Sequence, residues 1–336
     1  MSSAQVTIKD LARRLNVSVS TVSRALRNAT DINPQTKRSV LQLAAELSYE
    51  PNVMAQGLVK KKTKIIGVVV PAIHSNYFSD ALSGMTEVAN AHDYHLMFCQ
   101  SNEDAVQETR SIKKLLACHV DGLLISVSKD TKSTTEFEKV KQLGVPIVMF
   151  DRIIPEFDCS KVIVDEYEGA FKAVEHLIKK GCKRIAHLAG PVNASVSANR
   201  MKGYLDALKQ YGLPANDKLI SRCNAFEEDA LQAIKKILNT RPMPDGIFFI
   251  NDLSAISAIK YMQKKRIDIP GEIKVAGFND DPVSAVVQPS LTTVMQPSYE
   301  VGKLAIGILI DAILKPESSE QTITLRTKLV VRDSTK

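Results

Sequence analysis

Aromatic side chains are almost missing from the first quarter of this chain: Tyr49 is the only one ahead of Tyr77. Without ring faces to stack on unpaired bases, that segment is poorly equipped to hold single-stranded RNA. Cysteine is sparse as well. Cys99, Cys118, Cys159, Cys182 and Cys223 are odd in number and never spaced CxxC, which excludes a disulfide framework or a zinc knuckle and leaves idle reduced thiols as the expectation. No stretch approaches the ~20 uncharged apolar residues that cross a bilayer. The first thirty residues hold Lys9, Asp10, Arg13, Arg14, Arg24 and Arg27 in place of an apolar leader, so a cytoplasmic product without membrane contact is expected. Also missing are GxGxxG after a strand, GxxxxGK(S/T), GxSxG and HExxH, and none of the six histidines falls in a catalytic motif. No metal, cofactor or catalytic residue is therefore expected.

What remains is ordinary in bulk and uneven in charge. The 336 residues are 44% apolar and 24% charged, enough to build two or three packed domains. Residues 1–64 hold eleven bases against four acids, which accounts for the whole net charge of +7; the rest of the chain is balanced. A small cationic segment on a neutral body points to a polyanionic partner for that segment alone.

The segment "VTIKDLARRLNVSVSTVSRALRN" reads as two short helices around a tight turn. Ile8, Leu11, Ala12 and Leu15 repeat at helical spacing, with Thr7 and Asp10 placed as a capping box. Asn16, Val17 and Ser18 make the turn, and Ser18 can cap a second helix that buries Val22, Ala25 and Leu26. Its other face shows Val19, Ser20, Ser23 and Arg24. A helix entering a major groove needs this: little bulk near the backbone and one side chain long enough for a base edge. Asn33-Pro34 opens a third helix, with Val40, Leu43, Ala44 and Leu47 as its buried stripe. Pro51 to Val59 is too short to be stably helical alone, and Gly57 weakens it further. It reads as a segment that folds only against a partner.

From residue 65 short β-rich runs ("KIIGVVVP", "HLMFC", "DGLLIS", "VPIVMFD") alternate with helical stretches such as 79–91 and 105–118, the pattern of right-handed crossovers in a doubly wound parallel sheet. The pattern recurs: "DGLLIS" at Asp121 is echoed by "DGIFFI" at Asp245, and "KIIGVVVP" at Lys64 by "KRIAHLAG" at Lys183. Two α/β halves with a cleft between them follow, and ligands of such sheets sit beyond the strand carboxyl ends. Tyr77, Phe78, Ser126, Asp151, Asn251 and Asn279 lie there. Asp151 and Asp252 could equally order loops, and Tyr77 and Phe78 could be core.

The amino-terminal run, continued by "LSYEPNVMAQGLVKKKTKIIGVVVP", resembles the start of a lactose-repressor (LacI/GalR) family transcription factor, and the resemblance extends to the carboxyl end. It implies a small all-α helix-turn-helix headpiece (1–50), a hinge helix or linker (51–63), and an α/β effector-binding and dimerisation domain (64–336) of two periplasmic-binding-protein-like subdomains. Their expected bounds are 64–160 with 291–318, and 161–290 with 319–331. It places Val19, Ser20 and Arg24 at base-reading positions and Thr7, Ser18, Thr21, Ser23 and Asn28 near phosphates. Asn52, Ala55, Gln56 and Leu58 fall at hinge contacts, Leu58 as a minor-groove wedge. It adds Ser197, Arg200 (in Arg-x-x-Gly203) and Phe226 to the effector set. The implied partners are double-stranded operator DNA, a sugar-like small-molecule effector and a second copy of the chain. Dimer contacts are expected on helices near 79–91 and Leu115, and a tetramer is not, because no heptad helix follows "LVVRDSTK". An α/β enzyme, or a sugar-binding carrier with an accessory helical domain, is the competing expectation.

Overall fold

Caps and apolar spacing coincide at the amino end, and three short helices form there: α1 (Ile8–Arg14), α2 (Val19–Leu26) and α3 (Pro34–Glu46). Asn16 takes a left-handed φ of 52° and turns the chain between the first two. Leu11, Ala12, Val22, Ala25, Val40 and Ala44 make the small core, closed by Ile8, Leu15, Val17 and Leu26 at its margin. This computed structural model describes residues 6–49, 62–73, 75–192, 194–223 and 227–336. The chain divides into two units, 1–63 and 64–336. The expected hinge contacts Asn52, Ala55, Gln56 and Leu58 lie outside the described residues, as does Phe226.

The second unit holds two parallel sheets. The first is built from β1 (Ile65–Val70), β2 (His95–Gln100), β3 (Gly122–Ile125), β4 (Ile147–Phe150), β5 (Ser160–Val164) and β11 (Thr322–Leu325). Their order is β11-β5-β4-β3-β1-β2 and every pairing is parallel. Such a sheet is apolar on both faces, because helices cover both. Ile66, Val68 and Val70 point to α4 (Asn76–Ala91) and α12 (Ser298–Leu314). Val69 points the other way, into a second cluster with α5 (Ala105–Ala117) and α6 (Thr135–Gln142).

The second lobe repeats the plan. Strands β6 (Ile185–Ala189), β7 (Ile220–Arg222), β8 (Gly246–Phe249) and β9 (Lys274–Ala276) are ordered β7-β6-β8-β9. One face carries α7 (Glu166–Lys179) and α8 (Ser195–Gln210). The other carries α9 (Glu227–Leu238) and α10 (Asp252–Lys264). A one-turn helix, α11 (Val283–Val286), follows β9. An antiparallel pair, β10 (Thr293–Met295) with β12 (Lys328–Val330), packs on the α7 side through Val294 and Leu329.

Sheet membership moves the expected lobe boundaries. β5 and β11 both belong to the first lobe's sheet, and β10 extends the second lobe through its bridges to Ala276 and Asn279. The chain therefore crosses between Val164 and Glu166, between Met295 and Ser298, and between Leu325 and Lys328, each a few residues later than expected. The crossing strands belong to one lobe along their full length, which local pattern does not reveal. Leu115 is likewise not a surface residue: it is fully buried under β1, and α4 turns Tyr77, Phe78, Ala81, Leu82 and Met85 inward. Exposed apolar side chains on the same face lie on α12 instead, at Leu304 and Leu314.

Candidate functional site

In the headpiece the outer face of α2 is polar and small. Ser18 accepts the Thr21 N–H at 3.1 Å, capping the helix, and its hydroxyl also meets those of Ser20 (2.7 Å) and Thr21 (2.8 Å). This first turn presents short hydroxyls around free N–H groups, an arrangement suited to phosphate oxygens. Val19, Ser20 and Arg24 are exposed and Ser23 half-buried. The Arg24 guanidinium meets the Asp31 carboxylate, both largely exposed. A surface pair of this kind is worth at most about 1 kcal/mol, so it parks the side chain without preventing its exchange for a base edge. Thr7 gives both its N–H (2.9 Å) and its O–H (2.6 Å) to Asp10, which holds that carboxyl below the usual range. Asn28 stands just past α2 with a left-handed φ of 60°.

In the second unit the predicted polar residues lie at the carboxyl ends of strands or in the first two turns of the following helices. Asp151 ends β4 with φ 60°, and Asn279 follows β9 with φ 126°. Non-glycine residues held at positive φ store about 1–3 kcal/mol and gather at functional sites. Ser126 Oγ donates to Asp151 Oδ2 at 3.2 Å, and Arg152 Nε stands 3.9 Å from the same oxygen. Burial pushes the Asp151 carboxyl up to about 6, with the Arg152 charge pulling it back. The Tyr77 hydroxyl is buried beside Asp151 and makes no hydrogen bond of good geometry among the described residues. It feels the charges of Asp151, Glu166 and Arg200, and burial first, then Asp151, raise its pKa well above the phenol range.

In the other lobe, Arg200 on α8 is buried. Its Nε donates to Glu166 Oε2 at 2.5 Å, its Nη1 to the Ile250 carbonyl, and its Cζ lies 3.7 Å from the centroid of the Phe278 ring. Gln296 bridges this pair: with its amide nitrogen toward Glu166 Oε1 (3.1 Å), its oxygen accepts from Arg200 Nη2 (3.3 Å), and it sits 2.8 Å from the Asn279 side chain. The charges of Glu166 and Arg200 both act on Asp151, so the lobes contribute to one electrostatic cluster. A second meeting point is Asn76, at the start of α4, against Asp281 of the other lobe, where burial raises the carboxyl to about 6 and Asn76 draws it down.

The fold thus gathers Tyr77, Ser126, Asp151, Arg200 and Asn279. Other predicted residues have local partners. Asn251 caps α10 by accepting the Ser254 N–H at 2.9 Å. Ser197 is buried on α8 against Gly190. Phe78 packs edge-on to Phe150 and Tyr77 in the first lobe's core. Asp252 orders loops, accepting from the Asp281 N–H (2.8 Å), Ser284 (2.8 Å) and Thr293 (2.5 Å). Sequence reading missed Glu166, Gln296 and Phe278. Glu166 looks like an acid in a helix's first turn, and nothing local marks its pairing with Arg200.

Comparison with known proteins matches this arrangement. The family described as bacterial regulatory proteins, lacI family, matches residues 7–52, and the periplasmic binding protein-like domain matches 174–335. The ribose operon repressor of Halalkalibacterium halodurans is 32% identical over 332 residues, 98% of this chain and 97% of its own. Among solved structures, a complex of the transcriptional regulator CelR with cellobiose is 25% identical, with a TM-score of 0.76 over 98% of this chain and all of the other. The lac repressor dimer bound to operator and an anti-inducer has a TM-score of 0.86, with 99% of each chain covered, and at 24% identity shows likeness of fold. With helix-turn-helix, two-lobed sensor and near full-length similarity in agreement, this chain belongs to the lacI family of bacterial regulatory proteins.

Proposed function

We propose that the chain acts in the cytoplasm as a dimeric transcriptional repressor whose grip on operator DNA is set by a sugar-like effector in the cleft. Each α2 enters a major groove of a near-palindromic site, with Val19, Ser20 and Arg24 at base edges and Thr7, Ser18, Thr21, Ser23 and Asn28 at phosphates. Asn52, Ala55, Gln56 and Leu58 occupy the minor groove at its centre. The effector sits among Tyr77, Ser126, Asp151, Arg200 and Asn279, with Phe78, Ser197, Phe226 and Asn251 completing the pocket. A ligand that favours the closed cleft shifts how the two lobes meet, and a coupling of about 1–3 kcal/mol suffices for regulation.

The observation that carries this reading is the convergence of Asp151 and Asn279, both at positive φ, on Arg200 from opposite lobes at the strand carboxyl ends. The test is selection of DNA by the full-length protein from a random pool, followed by affinity measurements on the winning sequence. An inverted repeat is expected. Arg24→Ala should weaken it by about 1–3 kcal/mol and relax selectivity at one base pair per half-site. Equal weakening on selected and random duplexes would remove Arg24 from base reading.

A further inference from the structure

The charges around the cleft do not balance. Three of the arginines near it already have an acid, while Arg222, exposed at the end of β7, gives its Nη1 to the Gly190 carbonyl at 3.2 Å. Arg152 Nη1 donates to both Glu103 oxygens at 2.7 Å, Arg332 pairs with Asp280 at 2.7 Å, and Arg200 is held by Glu166 at 2.5 Å. Beyond Asp252, which neutral donors satisfy, the carboxylates in excess are Asp151, which shares Arg152 (3.9 Å) with Glu103 and has one hydroxyl donor at 3.2 Å, and Asp281, which has Asn76 against it. Both are nearly buried, Asp151 with a side chain 9% exposed and Asp281 at 5%. Close to Asp151 lies the buried Tyr77 hydroxyl, which makes no hydrogen bond of good geometry among the described residues.

This inventory states what a ligand must bring. Asp151 accepts only, so it needs a donor. The Tyr77 hydroxyl can give and receive one bond. Arg200 keeps N–H groups beyond the three already engaged, but Glu166 cancels its charge, so it meets a hydroxyl oxygen as a donor and not as a counter-ion. A sugar hydroxyl or an ammonium group meets all three requirements. A phosphate or carboxylate brings acceptors and negative charge to a site that already has both in excess, a juxtaposition that strongly disfavours binding.

Resting on the reading of the cleft as an effector site, we propose that it accepts a neutral polyhydroxylated or amine-bearing ligand and excludes phosphorylated and carboxylated ones, with Glu166 setting the choice by neutralising Arg200. Without Glu166, Arg200 regains a net positive charge and the discrimination weakens.

The experiment compares full-length protein with ligands matched on one ring: D-glucose, D-glucosamine, D-glucuronate and D-glucose 6-phosphate; D-ribose and D-ribose 5-phosphate; and cellobiose. Binding is read by calorimetry and by thermal shift. On whichever ring binds, the anionic derivative is expected to be weaker by about a hundredfold, the amine equal or tighter, and the anion's deficit to shrink to about tenfold or less in Glu166→Gln. Where Glu166→Gln does not fold, Asp151→Asn replaces it, with the same narrowing expected. An anionic derivative that binds as tightly as its neutral parent overturns the inference while leaving the effector site in place. If no ring binds in any charge form, the reading of the cleft itself fails, and the inference falls with it.

Discussion

His187 stacks between the rings of Tyr204 and Phe248, with centroids 5.0 and 4.9 Å away, and its Nδ1 hydrogen-bonds the Phe248 carbonyl at 3.0 Å. Its Nε2 is buried without a partner among the described residues. Burial drives its pKa from 6.5 down to about 4, so the unfolded chain binds a proton that the folded one refuses. Stability from this residue is complete above pH 6.5 and is lost as pH falls toward 4, by an amount on the order of 3 kcal/mol. Urea denaturation at pH 7 and pH 4.5 should show His187→Gln losing less stability between the two than the parent does; parallel losses would free His187 of that role. The sequence places this histidine in a strand-forming run and outside any catalytic pattern, and it is core. Residues that act through partners distant in sequence were less legible. Asp151 and Asn279 could be placed at strand ends because strand ends are local signals, whereas Glu166 and Gln296 became visible only when folding set them beside Arg200.

Elements whose signals are local could be read directly. The paired "DG" starts turn out to have a shared function: the Asp121 carboxylate accepts the Lys64 N–H at 3.0 Å, and the Asp245 carboxylate accepts those of Lys183 (2.8 Å) and Arg184 (2.9 Å). Each lobe thereby clamps the start of its first strand with the acid that precedes the neighbouring one. Packing between elements was not legible. Helices α4 and α12 approach so closely that a Cβ on Gly302 would strike the Ala81 carbonyl, and one on Gly84 the Tyr299 carbonyl. No pattern in either helix names its counterpart. Gly302→Val should therefore separate the pair and cost about 1–3 kcal/mol or more, seen as a fall of several degrees in the melting temperature. Gly307→Ala on the same helix has open space around it and should leave the melting temperature unchanged or raise it. Equal effects of both variants would contradict the close approach.

For the molecule as a whole, charge is partitioned by task. The net +7 resides within the first 64 residues, and the remainder is neutral. Operator affinity should thus fall by about 10³-fold or more between 50 and 200 mM salt if 6–10 phosphates are neutralised, while a neutral ligand in the sensor should bind almost independently of salt. A flat dependence of operator binding in a filter or fluorescence titration would contradict the electrostatic reading. Charge blocks and alternating elements are sums over many residues, so they survive in the raw sequence. Lobe boundaries depend on which sheet a single strand joins, so they do not.

The three crossings between lobes set an order of assembly during synthesis. The first lobe's sheet is incomplete until β11, at Thr322–Leu325, pairs with β5. The second lobe receives the Ser334 hydroxyl on the Val275 carbonyl (2.7 Å) and the Thr335 hydroxyl on His176 (2.8 Å) later still. The cationic helices at the opposite end form a core from their own residues, so a chain still on the ribosome exposes a finished DNA-seeking module long before it has a working sensor. A nascent regulator of this design is drawn to nucleic acid first and becomes answerable to its metabolite only once the segment from Thr322 to Thr335 has emerged and docked.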